Sequence, residues 1–217
     1  MAGIQWTLPT LTDDKTATSK MKPTRIVLTG GPCAGKSKAL IMLATWLPQI
    51  RRLPVLLPES ASIVFGAMGR PDYSNKPRLM ACQKAIARFQ MQMEDLFLDT
   101  ICPPNAVLIA DRGVLDAKAF LFPEDWQHLL EAVNLTEPVA LQRYDAVIHM
   151  VTTANGAPEH YKLEGFRNET PEEAITQDKQ LQQVYGQHQC HQIIDNSSDF
   201  AGKLERMKTA ISAVLEK

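Results

Sequence analysis

The sequence lacks a long apolar segment, a closely spaced cysteine pair and an excess of charge of either sign. No run approaches the roughly 18 apolar residues of a membrane-spanning helix. Residues 1–21 do not place an apolar run behind a basic start, which argues against a secretory signal or an anchor. The formal net charge of −1 provides no global positive field that would attract nucleic acid. We therefore predict no transmembrane segment, no nucleic-acid partner and a cytoplasmic location.

Cysteines and histidines are few and widely spaced. The four cysteines form no C-x-x-C pair, so we expect reduced thiols rather than a disulfide framework or a metal site. The five histidines also lack metal-ligand spacing, and we interpret them as structural. With 217 residues, of which 45% are hydrophobic, the chain can bury the core of one globular domain. We predict a flexible leader at residues 1–23 and a single domain at residues 24–217.

Short apolar runs alternate with helix-length segments along this domain. The runs predict strands at residues 25–29, 54–58, 106–110, 145–151 and 191–195. The segments between them predict helices at 36–46, around 79–96, within 123–142, at 171–189 and from 200 onward. We expect Pro138 to break the segment 123–142, and a loop around Gly66 and Gly69. This alternation predicts a three-layer α/β fold, with a mostly parallel sheet covered by helices on both faces.

A phosphate-binding motif lies between the first predicted strand and the first predicted helix. Its residues match G-x-x-x-x-G-K-[ST] and are Gly30, Gly31, Pro32, Cys33, Ala34, Gly35, Lys36 and Ser37. Glycines let backbone N–H groups turn toward phosphates, and a helix N-terminus favours negative charge. We expect Lys36 to reach the outer phosphates, Ser37 to hold Mg²⁺ and Lys38 to lie beside the nucleotide. Cys33 is interpreted as a packing residue, although an accessible thiol there could be oxidised and block the site.

Charged residues follow the second and third predicted strands, at the sheet edge where parallel α/β folds bind ligands. Asp111 is expected to bind Mg²⁺ through water, and capping of the next helix is the alternative. Arg112 is expected to clamp a phosphate or substrate oxygen, and an exposed salt bridge is the alternative. Glu59 is a candidate general base, and a hydrogen bond that orders the turn at residues 59–61 is the alternative.

Two further segments are candidates for contact with the nucleotide. Residues 152–170 have the polar, glycine-containing composition of a lid. Arg167 within it is the candidate cation for the developing phosphoryl charge, and a solvated loop arginine is the alternative. Asn196 follows the last predicted strand and is a candidate contact for the base, although an ordinary turn explains it equally well. The sequence contains no N-K-x-D guanine-reading signature, so it leaves the choice between ATP and GTP open.

Over about residues 25–210, these features resemble one family of AAA-type P-loop NTPases. That family groups the kinase domain of the nicotinamide-riboside kinase and regulator proteins with the TRPL translocation defect proteins. The similar segments include the loop itself, 58–61, 111–113, 144–149, 153–157 and 195–197. The resemblance implies a kinase-type five-stranded sheet of order 2-3-1-4-5. It also implies GTP binding and contact with phosphoinositides as traits to test.

Two classes of function fit these residues. The first is a Mg²⁺-dependent NTPase or phosphotransferase that acts on a nucleoside- or nucleotide-like small molecule, with the acceptor itself undefined. The second is a GTP- or ATP-dependent binding module that recruits a lipid or a protein partner. A cation in the lid and a carboxylate on the acceptor side favour the first class. The resemblance to the TRPL translocation defect proteins, which act in trafficking, favours the second class.

Overall fold

The computed structural model describes residues 22–69, 71–72, 74–100, 102–162 and 169–216. Five parallel strands form one sheet of order β2-β3-β1-β4-β5, as predicted. The strands are β1 (Thr24–Gly30), β2 (Leu53–Leu57), β3 (Ala106–Asp111), β4 (Ala146–Met150) and β5 (His191–Ile194). All five predicted strands are confirmed, with ends that differ by at most one residue.

Helices connect the strands and cover both faces of the sheet. They are α1 (Lys36–Trp46), α2 (Ser60–Met68), α3 (Lys76–Thr100), α4 (Pro123–Ala132), α5 (Glu137–Gln142), α6 (Pro171–Val184) and α7 (Phe200–Leu215). Short 3₁₀ segments occur at Leu47–Ile50, Val114–Phe120 and Pro158–His160. Within the described ranges, no helix combines the length and the apolar character needed to cross a membrane.

The central strands are apolar throughout because each of their faces is buried. In β1, Ile26 and Leu28 point to one side and pack against α1 and α7. Val27 points to the other side, where it meets Ala87 of α3 and Tyr185 after α6. Side chains alternate between the two faces of a strand, so one apolar run supplies both cores. This arrangement is the predicted three-layer fold.

Three expectations about helices differ from the structure. Residues 60–68 form α2 instead of a loop; Gly66 lies inside this helix, and Gly69 follows its end with a φ of 74°. The helix predicted at 171–189 ends at Val184, since Tyr185 leaves the helical path and Gly186 makes a turn. The break predicted within 123–142 lies at residues 133–136, and Pro138 stands in the first turn of α5, which suits a residue without an N–H.

Candidate functional site

The predicted phosphate loop connects the end of β1 to the start of α1. Gly30 has a φ of 144°, and a Cβ at this position would overlap the backbone of Met150. Gly35 has a φ of 92°, and a Cβ there would collide with the ring of Phe200. Both positions therefore require glycine, because neighbouring groups come close and the backbone is left-handed. The loop can thus present its N–H groups and the N-terminus of α1 to an anion.

Cations and a hydroxyl stand at the start of α1. Lys36 is 6% exposed, and its Nζ donates a hydrogen bond to the carbonyl of Gly30 over 3.3 Å. Ser37 and Lys38 are exposed in the first turn. The Nζ atom of Lys38 lies 5.7 Å from the centroid of the Phe200 ring, in cation–π geometry. The structure therefore folds Lys36 back across the loop and holds Lys38 beside Phe200.

Asp111 ends β3 directly opposite Leu28 of β1, so it lies next to the loop. Its Oδ1 atom is buried and accepts no hydrogen bond from the described residues. Burial raises the pKa of Asp111, and the charges of Lys36 and Arg112 only partly oppose that effect. The capping alternative does not hold, because Gly113 precedes the next 3₁₀ segment as its cap.

A buried carboxylate oxygen without a donor fits a hard cation such as Mg²⁺. Magnesium usually takes one or two protein ligands and completes its shell with phosphate oxygens and waters. Among the described residues, no three acidic, histidine or cysteine side chains form a metal cage. Asp111 and Ser37 would hold Mg²⁺ together with a bound nucleotide, which agrees with that preference.

Arg112 is clamped between two carboxylates. Its Nε atom donates to Glu59 over 2.6 Å, and its Nη1 atom donates to Asp116 over 3.1 Å. Its side chain is 16% exposed, so this is an enclosed ion pair rather than the exposed salt bridge weighed as the alternative. Burial alone would lower the pKa of Arg112, but the charges of Glu59, Asp116 and Asp111 raise it above its ordinary value. Arg112 therefore remains a cation beside the loop.

Glu59 stands at the N-terminus of α2 and faces Arg112. Burial by itself raises the pKa of Glu59, but the charge of Arg112, a hydrogen bond from Ser62 and the charge of Lys36 outweigh it and lower the pKa to about 2. A carboxylate with so low a pKa is a weak base. A general-base role therefore requires that an acceptor loosen this ion pair.

Asp116 supports Arg112, although the sequence analysis assigned it no role in the site. It is 3% exposed and accepts hydrogen bonds from Thr29 and Tyr185, each over 2.7 Å, as well as from Arg112. These contacts fix Arg112 relative to β1. The only sequence signal for this pairing is that Asp116 follows Arg112 by four residues, and such a spacing of opposite charges is common in proteins.

Lys203 on α7 is a second residue to which the sequence analysis assigned no role. It is 1% exposed, and its Nζ donates to the carbonyls of Ala34 and Val151 and to the side chain of Asn196, over 3.2, 2.6 and 2.7 Å. Burial lowers the pKa of Lys203 to about 8, although Asp178 opposes the shift. Lys203 thus anchors the phosphate loop to the end of β4.

Asn196 is occupied by the same anchor. Its Oδ1 accepts from Lys203, and its Nδ2 donates to the carbonyls of Thr152 and Asn155, each over 2.7 Å. The side-chain amide therefore holds two loops together. The predicted contact of Asn196 with a base stays a prediction.

Asp178 on α6 supports the other side of the loop. Its Oδ1 accepts from the amide of Gly31 over 2.8 Å, from the amide of Thr152 over 3.0 Å and from Nε2 of His149 over 3.1 Å. Burial raises the pKa of Asp178, but hydrogen bonds from His149 and Gly31 lower it below its ordinary value. Asp178 is thus part of the framework of the loop.

The segment predicted as a lid begins in contact with the phosphate loop. Thr152 and Thr153 donate to the carbonyls of Pro32 and Cys33, over 2.5 and 3.1 Å. The half-buried thiol of Cys33 donates to the carbonyl of Lys162 over 2.8 Å. Arg167 lies outside the described residues, so its predicted role as the lid cation stays a prediction.

Comparison with known families adds one finding. A family model described as an AAA domain matches residues 25–203. The match begins in β1 and ends at Lys203, so it includes every site residue described above. No curated protein matches the chain.

Proposed function

The chain belongs to the AAA domain family, and on that premise we propose that this P-loop nucleotide-binding protein is a Mg²⁺-dependent phosphotransferase. It moves the terminal phosphoryl group of ATP or GTP to a hydroxyl group of a small molecule. The motifs at 58–61 and 111–113 resemble the group that joins the kinase domain of nicotinamide-riboside kinases with the translocation defect proteins.

The observation that carries this proposal is the pairing of Arg112 with Glu59 and Asp116 beside Asp111. Phosphate binding alone needs the loop, Lys36 and the metal ligands. The additional cation and carboxylate lie on the side of α2, where a second substrate can approach. Such a pair suits phosphoryl transfer, in which catalysis is mainly positioning and charge stabilisation.

The reaction follows from these positions. The acceptor oxygen bonds to the terminal phosphorus, and the bond from that phosphorus to the bridging oxygen breaks. The nucleoside diphosphate leaves with the bond electrons, and the hydroxyl proton passes to Glu59 and then to water. Mg²⁺, when bound, neutralises phosphate charge. Lys36 and Arg112 stabilise charge on the phosphoryl oxygens, and Glu59 orients the acceptor.

The low pKa of Glu59 supports a second candidate function. If the ion pair with Arg112 persists in the nucleotide complex, no base is released. The protein would then be a nucleotide-dependent binding module for a lipid or protein partner, with hydrolysis as a side reaction.

The test is a transfer assay with γ-labelled ATP and GTP, Mg²⁺ and a panel of nucleosides, nucleotides and sugars. We expect label to appear in one acceptor, and to disappear from it with Lys36→Ala. Label that reaches only water, or no product, contradicts the phosphotransferase. Recruitment of phosphoinositide vesicles only in the presence of nucleotide would then favour the binding module.

A further inference from the structure

We propose that Gln83 on α3 binds the ring of a nucleoside-like phosphoryl acceptor. Gln83 is only 6% exposed, and its amide makes no hydrogen bond with the described part of the chain. An amide carries two N–H donors and a carbonyl acceptor. The amide of Gln83 does not belong to the buried unpaired polar groups, so its atoms reach solvent and can pair with a ligand. The inference rests on the proposed phosphotransferase function and names the acceptor class.

The position of Gln83 along α3 places it near the carboxyl edge of the sheet, where the phosphate loop lies. Glu94, farther along α3, accepts a hydrogen bond from Arg25 at the start of β1. Glu94 therefore lies at the edge of the sheet where the strands begin. Gln83 precedes Glu94 by 11 residues, or about 16 Å of helix. A strand such as β1 spans about 20 Å. Gln83 therefore lies close to the level of the carboxyl edge and the phosphate loop.

The direction of Gln83 is fixed by its neighbours on the helix. Gln90, two turns later and on nearly the same line, accepts a hydrogen bond from Ser60 of α2. Ala87, on the adjoining line, packs in the core that includes the 3₁₀ segment Val114–Phe120. Cys82, on the side of Gln83 that faces away from Ala87, contacts Met68 at the end of α2. Gln83 thus points into the seam between α2 and this segment.

The same two elements carry the proposed catalytic groups. Glu59 is the cap of α2, and Arg112 lies just before the 3₁₀ segment. A molecule whose ring reached Gln83 in the seam would have its far end beside Glu59 and Arg112. That end would carry the hydroxyl group that receives the phosphoryl group.

The surroundings of Gln83 identify the type of ring. Its four neighbours one turn away on α3 are all apolar, and they are Leu79, Met80, Ile86 and Ala87. One amide on an apolar surface suits a flat ring that offers a donor and an acceptor side by side. Nucleobases and ring carboxamides have such an edge. A free sugar, with hydroxyl groups on every side, would leave several of them unpaired.

Calorimetry on the full chain tests this inference, with Mg²⁺ and a saturating non-hydrolysable ATP or GTP analogue that occupies the phosphate loop. The probes are adenosine, guanosine, cytidine, uridine and a pyridine-carboxamide riboside, with ribose as the ring-free comparison. We expect at least one nucleoside to bind and ribose not to bind. Gln83→Met should weaken nucleoside binding about 10- to 100-fold. Gln92→Met, at an exposed position of the same helix, should leave it unchanged.

Thermal unfolding supplies a second readout. Gln83→Met keeps the length of the side chain and breaks no hydrogen bond within the described chain, so the melting temperature should stay nearly equal. A marked fall would make Gln83 a structural residue and overturn the inference. Equal nucleoside affinity in Gln83→Met and the unchanged chain, or the absence of nucleoside binding, would overturn it as well.

The outcomes separate this inference from the proposed function. Nucleoside binding that depends on Gln83, without transfer of label, supports the ring site and contradicts the phosphotransferase. Transfer to an acceptor with the same KM in Gln83→Met supports the phosphotransferase and contradicts the ring site.

Discussion

At the scale of the residue, the charge of Asp111 destabilises the folded chain when no Mg²⁺ is bound, and the same charge would bind Mg²⁺. Its Oδ1 atom is buried without a donor, and burial raises its pKa. The unfolded chain ionises this group at a lower pH than the folded chain does. Ionisation of Asp111 therefore reduces stability as the pH rises from about 4 through its raised folded pKa. A bound Mg²⁺ would compensate for that cost.

Asp111→Asn tests this balance. The change keeps the shape of the side chain and removes its charge, so the nucleotide-free chain should melt at a higher temperature at neutral pH. Affinity for the nucleotide in Mg²⁺ should fall about 10- to 100-fold, as measured by calorimetry. An unchanged response to Mg²⁺ in this variant would exclude Asp111 as a metal ligand.

We predict that Lys203 makes nucleotide binding depend on pH. Its ammonium group supplies three donors to three acceptors around the loop. Above its pKa of about 8, the neutral amine has only two donors. Nucleotide affinity should therefore fall as the pH rises through about 8, because the loop loses one anchor.

The stability of the folded chain should move in the opposite direction over this range. The unfolded chain keeps the proton of Lys203 up to its ordinary pKa of 10.5, so stability from this group rises between pH 8 and pH 10.5. Lys203→Met should abolish the pH step in affinity and weaken nucleotide binding at pH 7. Persistence of the same step in the variant would assign it to another group.

At the scale of the element, α2 is held at its first turn. Ser60 donates to Gln90, and the preceding Glu59 pairs with Arg112. Ile63 and Met68, farther along, are exposed at 42% each, so the helix packs one side on α3 and leaves much of its apolar surface open. Movement of α2 would change the access of a second substrate to the site.

Glu59→Gln removes the charge that joins α2 to Arg112. If Glu59 serves the acceptor, turnover should fall about 100-fold or more, while nucleotide affinity stays nearly constant. Amide exchange in α2 should become faster, because an enclosed ion pair is lost. Glu124→Gln, at an exposed position on α4, is the matched control. If turnover falls no further than in the control, the binding module becomes the better interpretation.

Sequence patterns predicted best the strands that are buried on both faces of the sheet. β1, β3 and β4 are buried on both faces, so a continuous apolar run is a direct record of their place. The sequence analysis did not predict α2, because Gly66 and Gly69 are typical of a loop and because the apolar residues of α2 do not lie along one face of the helix. Its position depends on contacts with α3, which local sequence does not encode.

At the scale of the whole molecule, three separate parts of the chain hold the phosphate loop. Lys203 of α7 bonds to Ala34, Asp178 of α6 to Gly31, and Thr152 after β4 to Pro32. The loop motif was readable because its glycines and lysine are close in sequence. Its supports were not, since a lysine and an aspartate on amphipathic helices look like solvated residues until tertiary contacts bury them.

The most direct test of the proposed site is calorimetric titration of Mg²⁺-ATP and Mg²⁺-GTP into the unchanged chain and into Lys36→Ala. Lys208→Ala, on α7 and paired with Glu205, serves as the charge-matched control. We expect one nucleotide to bind the unchanged chain and the control with equal affinity. Lys36→Ala should show no measurable binding while keeping its melting temperature, because it removes a phosphate-facing charge. Equal affinity in Lys36→Ala and the unchanged chain would contradict a nucleotide site at this loop.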